Sequence, residues 1–357
     1  MAESDSREPS DLEHIRKRPS MYIHSTGQIG LSFLVGELAS NSIDQFLAGN
    51  ASSVFVRTNQ NKVTVVDDGM GLPFDRPSKM GNASLLEDYM TTVHKTPTAD
   101  SHAPHIHLHS SCGVGLGVVN ALSESVEVRS YRAGKLWQQT FSRGKVASKP
   151  RQIKPEGSSE NGLLKGRGTE VTFTPDPDIF EDRMFEPLGF RKRLFDAAHL
   201  FAGLKVGLQD EIFFAPDGLA ALAATTLMSG TGPLRVQIDS GQFHLELVAF
   251  GRAGNTNSRA ENAKRKTKWM TWANGWNTVE GGTHKDACQK VFDELKWKPK
   301  HALVHIVMKE VEFAGPTRQK LEVAHVEQEL VENLLKPIEA YCQKYGQGKF
   351  WEHYRPE

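Results

Sequence analysis

The chain has 357 residues, 38% of them hydrophobic and 24% charged, with 43 basic residues against 43 acidic ones. That length leaves room for about two domains with cores of their own, and the composition is that of a globular protein rather than a fibrous or disordered one. Balanced charge gives no global pull toward nucleic acid or an anionic surface, and no run approaches the roughly 20 apolar residues that span a bilayer.

The polar, acidic start, "MAESDSREPSDLEHIRKRP", holds no apolar stretch of the signal-peptide kind, so the cytoplasm is the expected location. The first predicted element is a helix over "VGELASNSIDQFLAG", where Leu31, Leu34, Val35, Leu38 and Phe46 recur at helical spacing and would bury one face. Glu37, Asn41 and Asp44 stand at i, i+4 and i+7 and share another face. A solvated polar stripe is the ordinary reading of such a face. Two β-rich runs follow, "SSVFVRT" and "KVTVVDD", joined by "NQN" as a hairpin. The second ends in the turn "DDGMGLP", closed by Pro73.

A helix is expected over "SLLEDYMTTVH", then a polar segment, "KTPTADSHAPHIHLHSS", then "CGVGLGVVNALS", where glycines lead into an apolar helix. "SVEVRSYRAGKLWQQTFSRG" reads as a second hairpin, residues 150–166 as a loop, and "GRGTEVTFTPDPDIF" as a strand with a proline-rich exit. Composition shifts around "FFAPDGLAAL", which sets the expected domain boundary between residues 217 and 218. Beyond it come two strands flanking "DSGQ", a strand over residues 269–273, and a loop feeding a helix in "GWNTVEGGTHKDACQKVFDEL". A strand in "HALVHIVMKEVEFAG", a loop "PTRQKL" and a long closing helix to "KYG" complete the order.

Three minor features stand apart from these elements. Cys112, Cys288 and Cys342 are far apart and form no CxxC pair, which fits reduced structural thiols. His105, His107 and His109 alternate, with His102 nearby, but no carboxylate or cysteine pair completes a metal set, so a polar segment is the preferred reading. The basic run at residues 263–269, "AKRKTKW", suits either a phosphate contact or a solvated loop.

Three glycine-marked turns carry more chemistry. In "VVDDGMGLP" a carboxylate at the end of a buried strand meets glycines that let the backbone approach a flat ligand. In "CGVGLG" glycines at a helix start leave amides facing outward, which favours phosphate. In "GRGTEV" a threonine hydroxyl follows a glycine turn at the start of a strand. Each alone is weak, because glycine turns are common.

Taken in order behind the Glu37/Asn41 helix, "IRKRPSMYIHSTGQIGL", "ELASNSIDQFLAG", "VTVVDDGMGLP", "CGVGLGVVNALS" and "GTEVTFTPDPDIF" closely resemble the ATPase domain of gyrase B and topoisomerase IV B proteins, in the GHKL superfamily. "NGWNTVEGGTHKDA" and "EFAGPTRQKLEV" resemble the transducer domain of the same proteins. The resemblance implies an α+β chain: a GHKL, or Bergerat-type, ATPase domain over residues 1–217 and a ribosomal-S5-like transducer domain over residues 218–357. It implies ATP and Mg²⁺ as ligands, Glu37 as general base toward the attacking water, and Asn41 as a Mg²⁺ ligand. Asp67 becomes the adenine-reading carboxylate, supported by Gly71 and Thr169, and Gly113, Val114 and Gly115 the phosphate-cradling stretch. Phosphoryl transfer then needs mainly positioning and charge neutralisation.

Several positions depart from the family pattern. A Gln-Thr-Lys loop is replaced by Pro316, Thr317 and Arg318, which keeps a cation for the γ-phosphate. An acid–arginine pair beside the nucleotide becomes Gln45 and Met70, and a lid glycine becomes Ser110. By motif alignment the two rim arginines on which aminocoumarin inhibitors lean become Met70 and Gln138, so weak inhibition is expected. No TOPRIM segment is present, so the expected enzyme is a Mg²⁺-dependent ATPase module without DNA cleavage of its own. Its expected partners are DNA or a topoisomerase subunit, not a membrane, with a homodimer forming at most on ATP binding. The alternative is a regulatory ATP-binding protein with vestigial hydrolysis.

Overall fold

The computed structural model describes residues 10–93, 115–154, 166–226, 233–251, 266–315 and 318–346. The chain divides into two units, Met1–Ala198 with Leu204–Phe214, and His199–Gly203 with Ala215–Glu357. No helix among the described residues is long and apolar enough to cross a membrane.

The first unit opens with helices α1 (Asp11–Lys17), α2 (Ser20–Ile23) and α3 (Gln28–Leu47). A capping box starts α1: Ser10 Oγ accepts from the Glu13 amide at 3.3 Å, and the Ser10 amide donates to Glu13 Oε2 at 2.9 Å. Strands β1 (Ser53–Asn59) and β2 (Lys62–Asp67) form the expected hairpin, closed by Gln60 and Asn61 with Gln60 at φ 54°. Helix α4 (Leu85–Thr91) and helix α5 (Gly115–Ala121) follow, then strands β3 (Ser123–Arg132), β4 (Lys135–Ser142), β5 (Lys145–Val146), β6 (Arg151–Ile153) and β7 (Gly168–Pro175). Helix α6 (Pro187–Leu200) and strands β8 (Lys205–Leu208) and β9 (Glu211–Phe214) close the series.

These strands make one sheet in the order β5-β4-β3-β7-β2-β1-β8-β9, with β6 beside β4. Its pairs are antiparallel except β1 with β8. The apolar face of α3 (Leu31, Leu34, Val35, Leu38 and Ile43, all buried) lies on β1 and β2, whose Val54, Val56, Val63 and Val65 are buried too. Each such side chain contributes about 1.5–3 kcal/mol, which fixes α3 against the strand that ends in Asp67. Asp176, fully buried just beyond β7, holds Arg16 Nη2 at 2.7 Å and Arg143 Nε at 2.9 Å, tying the N-terminal helices to the sheet.

In the second unit, helix α7 (Leu219–Thr226) precedes strands β10 (Leu234–Asp239), β11 (Phe243–Phe250), β12 (Lys268–Ala273), β13 (Trp276–Asn277) and β14 (Gly281–Gly282). Helix α8 (Thr283–Glu294), strands β15 (His301–Met308) and β16 (Lys320–Leu321), and helix α9 (Glu327–Gly346) complete it. The sheet runs β10-β11-β15-β12-β13, with β14 and β16 as a separate parallel pair. Leu245, Leu247, Val304 and Ile306 from the strands, Val291 and Phe292 from α8, and Leu330, Leu334 and Ile338 from α9 form one core. Cys288 is buried in it, and burial pushes its thiol up, consistent with a structural role; burial and Glu339 push the Cys342 thiol up to about 11.

The chain differs from its sequence pattern in short pieces. Residues 151–153, expected as loop, pair with β4; the strand expected to run past residue 310 stops at Met308; and "PTRQKL" contains β16. Two- and three-residue strands carry too few positions to display a period.

Candidate active site

The polar face of α3 is not evenly solvated. The Glu37 side chain is buried, at 6% exposure, whereas Asn41, one turn on, is exposed. The start of α5 lies against it: a Cβ on Gly115 would collide with Glu37 Oε2, so a side chain there would displace the carboxylate. Asp44 is half-buried.

Asp67 ends β2, buried, with both carboxylate oxygens engaged. Ser42 Oγ donates to Oδ2 at 3.0 Å, and the Gly69 amide donates to Oδ1 at 2.9 Å. Burial raises its pKa to about 6, with those hydrogen bonds acting in the opposite direction. Ser42 belongs to α3, so the same helix that carries Glu37 and Asn41 also orients Asp67. Thr169 lies directly opposite Asp67 in β7 and is buried. Gly71 sits at φ 79° with its Cα facing β3, where a Cβ would come within 2.6 Å of the Tyr131 carbonyl. Asp68 turns the other way and accepts from the Ser52 and Ser53 amides at 2.7 and 2.9 Å, which pins the turn to the start of β1.

Gln138, one of the two rim positions of the motif alignment, accepts at Oε1 from Arg151 Nη2 at 2.8 Å on the neighbouring strand. A cation stands at the Gly71 turn. Arg132, at the end of β3, donates from Nη1 to the Gly71 carbonyl at 3.0 Å and from Nε to Asp75 at 2.7 Å. Met70 is 49% exposed, and the stem of Gln45 packs beneath Gly69, where a Cβ would meet Gln45 Cγ at 3.1 Å. Gln45 Oε1 is buried and makes no hydrogen bond among the described residues.

Glu37, Asn41, Asp67, Gly71, Gly115 and Thr169 thus all belong to the first unit, on α3, the end of β2, the start of α5 and β7. Gly113 and Val114 lie outside the described residues, as do the lid histidines, Ser110, Cys112, Pro316 and Thr317. Arg318 belongs to the second unit. Ser42 and Arg132 do not stand out in the sequence: neither sits in a glycine motif, and each finds its partner across the fold.

The chain is similar to known proteins over most of its length. Residues 26–179 match the family described as histidine kinase-, DNA gyrase B-, and HSP90-like ATPase. DNA gyrase B of Clostridium acetobutylicum is 35% identical over 347 residues, which cover 87% of this chain and 51% of that protein. DNA topoisomerase 4 B of Rickettsia prowazekii is 29% identical, covering 91% of this chain and 52% of that protein. The chain therefore spans about half the length of the curated relatives it matches. The 43K ATPase domain of Thermus thermophilus gyrase B, solved in complex with an aminocoumarin, superimposes with a TM-score of 0.72 at 28% identity, covering 93% of this chain and 90% of that one. Residues 26–179 are thus a histidine kinase-, DNA gyrase B-, and HSP90-like ATPase domain, of the gyrase B type.

Proposed function

We propose that this chain binds ATP with Mg²⁺ and hydrolyses it, the first unit acting as ATPase domain and the second as transducer. The observation that carries the reading is the division of labour along α3: Glu37 buried, Asn41 exposed one turn on, and Ser42 fastening Asp67 at the end of β2. Asp67 accepts a hydrogen bond from the adenine amino group, its two oxygens already oriented by Ser42 and Gly69. A Cβ on Gly168 would strike the Asp67 carbonyl and one on Gly71 the Tyr131 carbonyl, so glycine at both lets the backbone close up around Asp67, and Thr169 lies opposite it in β7. Glu37 accepts the proton of the attacking water; its burial against Gly115 limits the directions in which its carboxylate can turn. Gly113, Val114 and Gly115 cradle the phosphates, and Arg318 supplies the γ-phosphate with a cation.

The donor set fits Mg²⁺, which takes hard oxygen ligands and keeps several waters, and the exposed Asn41 carboxamide offers one such oxygen. Bound Mg²⁺ neutralises phosphate charge. Asn41→Ala should bind ATP in EDTA as the parent does and lose most of the affinity gained on adding Mg²⁺. An equal gain in both proteins, measured by calorimetry, would remove Asn41 from the metal's shell.

The conformational output passes to DNA or to a topoisomerase subunit, and ATP binding brings two copies together. Because Arg132 stands at the turn, an aminocoumarin should compete with ATP here, against the expectation from the motif alignment. Arg132→Ala should weaken the inhibitor about 5- to 30-fold, the loss of one charge-assisted hydrogen bond or stacking contact, and ATP by less. Equal losses for both ligands would show that Arg132 acts only by holding the turn.

A further inference from the structure

Ser42 and Asp67 stand 25 residues apart in the chain and are both buried, at 2% and 8% exposure. The Ser42 hydroxyl has one hydrogen and two acceptors within reach: Asp67 Oδ2 at 3.0 Å, and the Leu38 carbonyl, one turn back in α3, at 3.4 Å. The shorter bond goes to the carboxylate, and a bond to an ionised acceptor is roughly twice as strong as one between neutral groups. The other donors to Asp67 are backbone amides, Gly69 at 2.9 Å and Thr169 from β7. Ser42 is the side chain among these donors. What works against ionisation is burial first, then the like charge of Asp68, next in the chain. The arginines at the turn reach its backbone: Arg132 donates to the Gly71 carbonyl and Arg167 to the Asp68 carbonyl. Gln45, which α3 packs beneath Gly69, is neutral.

We propose that Ser42 is a positioning residue for nucleotide recognition: its hydroxyl keeps the Asp67 carboxylate ionised at neutral pH, and so an acceptor for the adenine amino group. The inference rests on the reading of Asp67 as the adenine contact. Ionised, Asp67 accepts from Ser42, from Gly69 and from the ligand. Protonated, it is a weaker acceptor with a hydrogen of its own; the Ser42 hydrogen then turns to the Leu38 carbonyl, and Ser42 Oγ can accept from the acid. Burial already raises the carboxyl to about 6, and without Ser42 the same burial meets less opposition. A hydrogen bond to a charged group is strong enough that losing it moves the midpoint by about one to two pH units. Asp67 is then ionised at neutral pH in the parent and partly protonated in a chain that lacks the hydroxyl.

The test is two titrations on the full chain, with thermal melts to confirm folding. In the first, carbon-13 NMR of aspartate-labelled protein without nucleotide follows the Asp67 carboxyl, assigned by the signal missing in Asp67→Asn. Its midpoint should rise by about one to two pH units in Ser42→Ala and stay close to the parent in Ser42→Thr, which keeps the hydroxyl. In the second, calorimetry gives the ratio of variant to parent ATP affinity, in which the titration of ATP itself cancels. Ser42→Ala should bind about 3- to 25-fold more weakly at pH 6.5 and within about twofold of the parent at pH 9, the populations set by such a shift from about 6. An unshifted midpoint in Ser42→Ala would overturn the proposal, and so would an affinity loss equal at both pH values, which lost packing explains. A shifted midpoint with parental affinity throughout, or a parent that binds no ATP, would overturn the adenine contact and with it Ser42's part in recognition. The NMR midpoint needs no ligand, so it reads Ser42's hold on Asp67 separately.

Discussion

Glu37→Gln should reduce ATP turnover by about 10²- to 10⁴-fold, the usual effect of removing one positioned base, while ATP affinity changes little. The amide keeps the shape and most of the hydrogen-bonding capacity of the carboxylate, so its packing against Gly115 should persist. What it loses is the ability to take a proton from water. Steady-state phosphate release and equilibrium binding on the same preparation separate the two effects. Parental turnover in the variant would remove Glu37 from the reaction, and a parallel loss of binding would make it a structural residue.

Asp67→Asn should act in opposite directions on binding and on stability. Adenine's amino group needs an acceptor, and a carboxamide that presents its donor there leaves a buried mismatch of about 1–3 kcal/mol, a loss of roughly 5- to 150-fold in affinity. The unliganded fold should gain. Burial raises the Asp67 carboxyl from 3.8 to about 6, so between those values the folded chain holds a proton that the unfolded chain has released. Stability contributed by this group therefore falls as pH rises through that window, and the whole deficit, up to about 3 kcal/mol, is present at neutral pH. A neutral carboxamide removes it. Its oxygen can still accept from Gly69, and its NH₂ can donate to Ser42, whose hydroxyl turns toward the Leu38 carbonyl, 3.4 Å away. Denaturant melts at pH 7.5 and pH 5 check this. The variant's advantage should shrink at the lower pH, and a destabilised variant at pH 7.5 would show that the ionised carboxylate is worth more to the fold than its burial removes. ATP affinity of the parent should likewise weaken below about pH 6 as Asp67 protonates, and that of the variant should not.

How much of this is legible in the sequence depends on how local the cause is. Helical period alone puts Glu37 and Asn41 on one face, because i and i+4 lie side by side whatever surrounds them. That Glu37 is sunk and Asn41 exposed is not legible, since it depends on what the fold packs against α3. Asp67 can be read as a strand-end carboxylate before a glycine turn; its dependence on Ser42, 25 residues earlier, cannot. At the rim, nothing in the sequence announces that Gln138 bonds Arg151 across a strand pair, or that Arg132, at the end of β3, reaches the Gly71 carbonyl.

Element order follows the same logic. The long helices and the hairpins announce themselves by period and by turn residues. Helix α6 escapes the sequence pattern although Phe190, Leu194, Ala197 and Ala198 are buried at helical spacing, because Gly189 and the basic run Arg191, Lys192 and Arg193 dilute the apolar period. Helix α1 carries its own signal in the Ser10–Glu13 capping box, which spacing of apolar residues does not reveal.

The most direct test of ATP hydrolysis at this site is single-turnover phosphate release from ATP by the purified chain, with enzyme in excess and with Mg²⁺ or EDTA. The expected result is Mg²⁺-dependent release in the parent, none above background in Glu37→Gln, and bound, uncleaved ATP recovered from that variant. Release that is equal in EDTA, or equal in the two proteins, would contradict it.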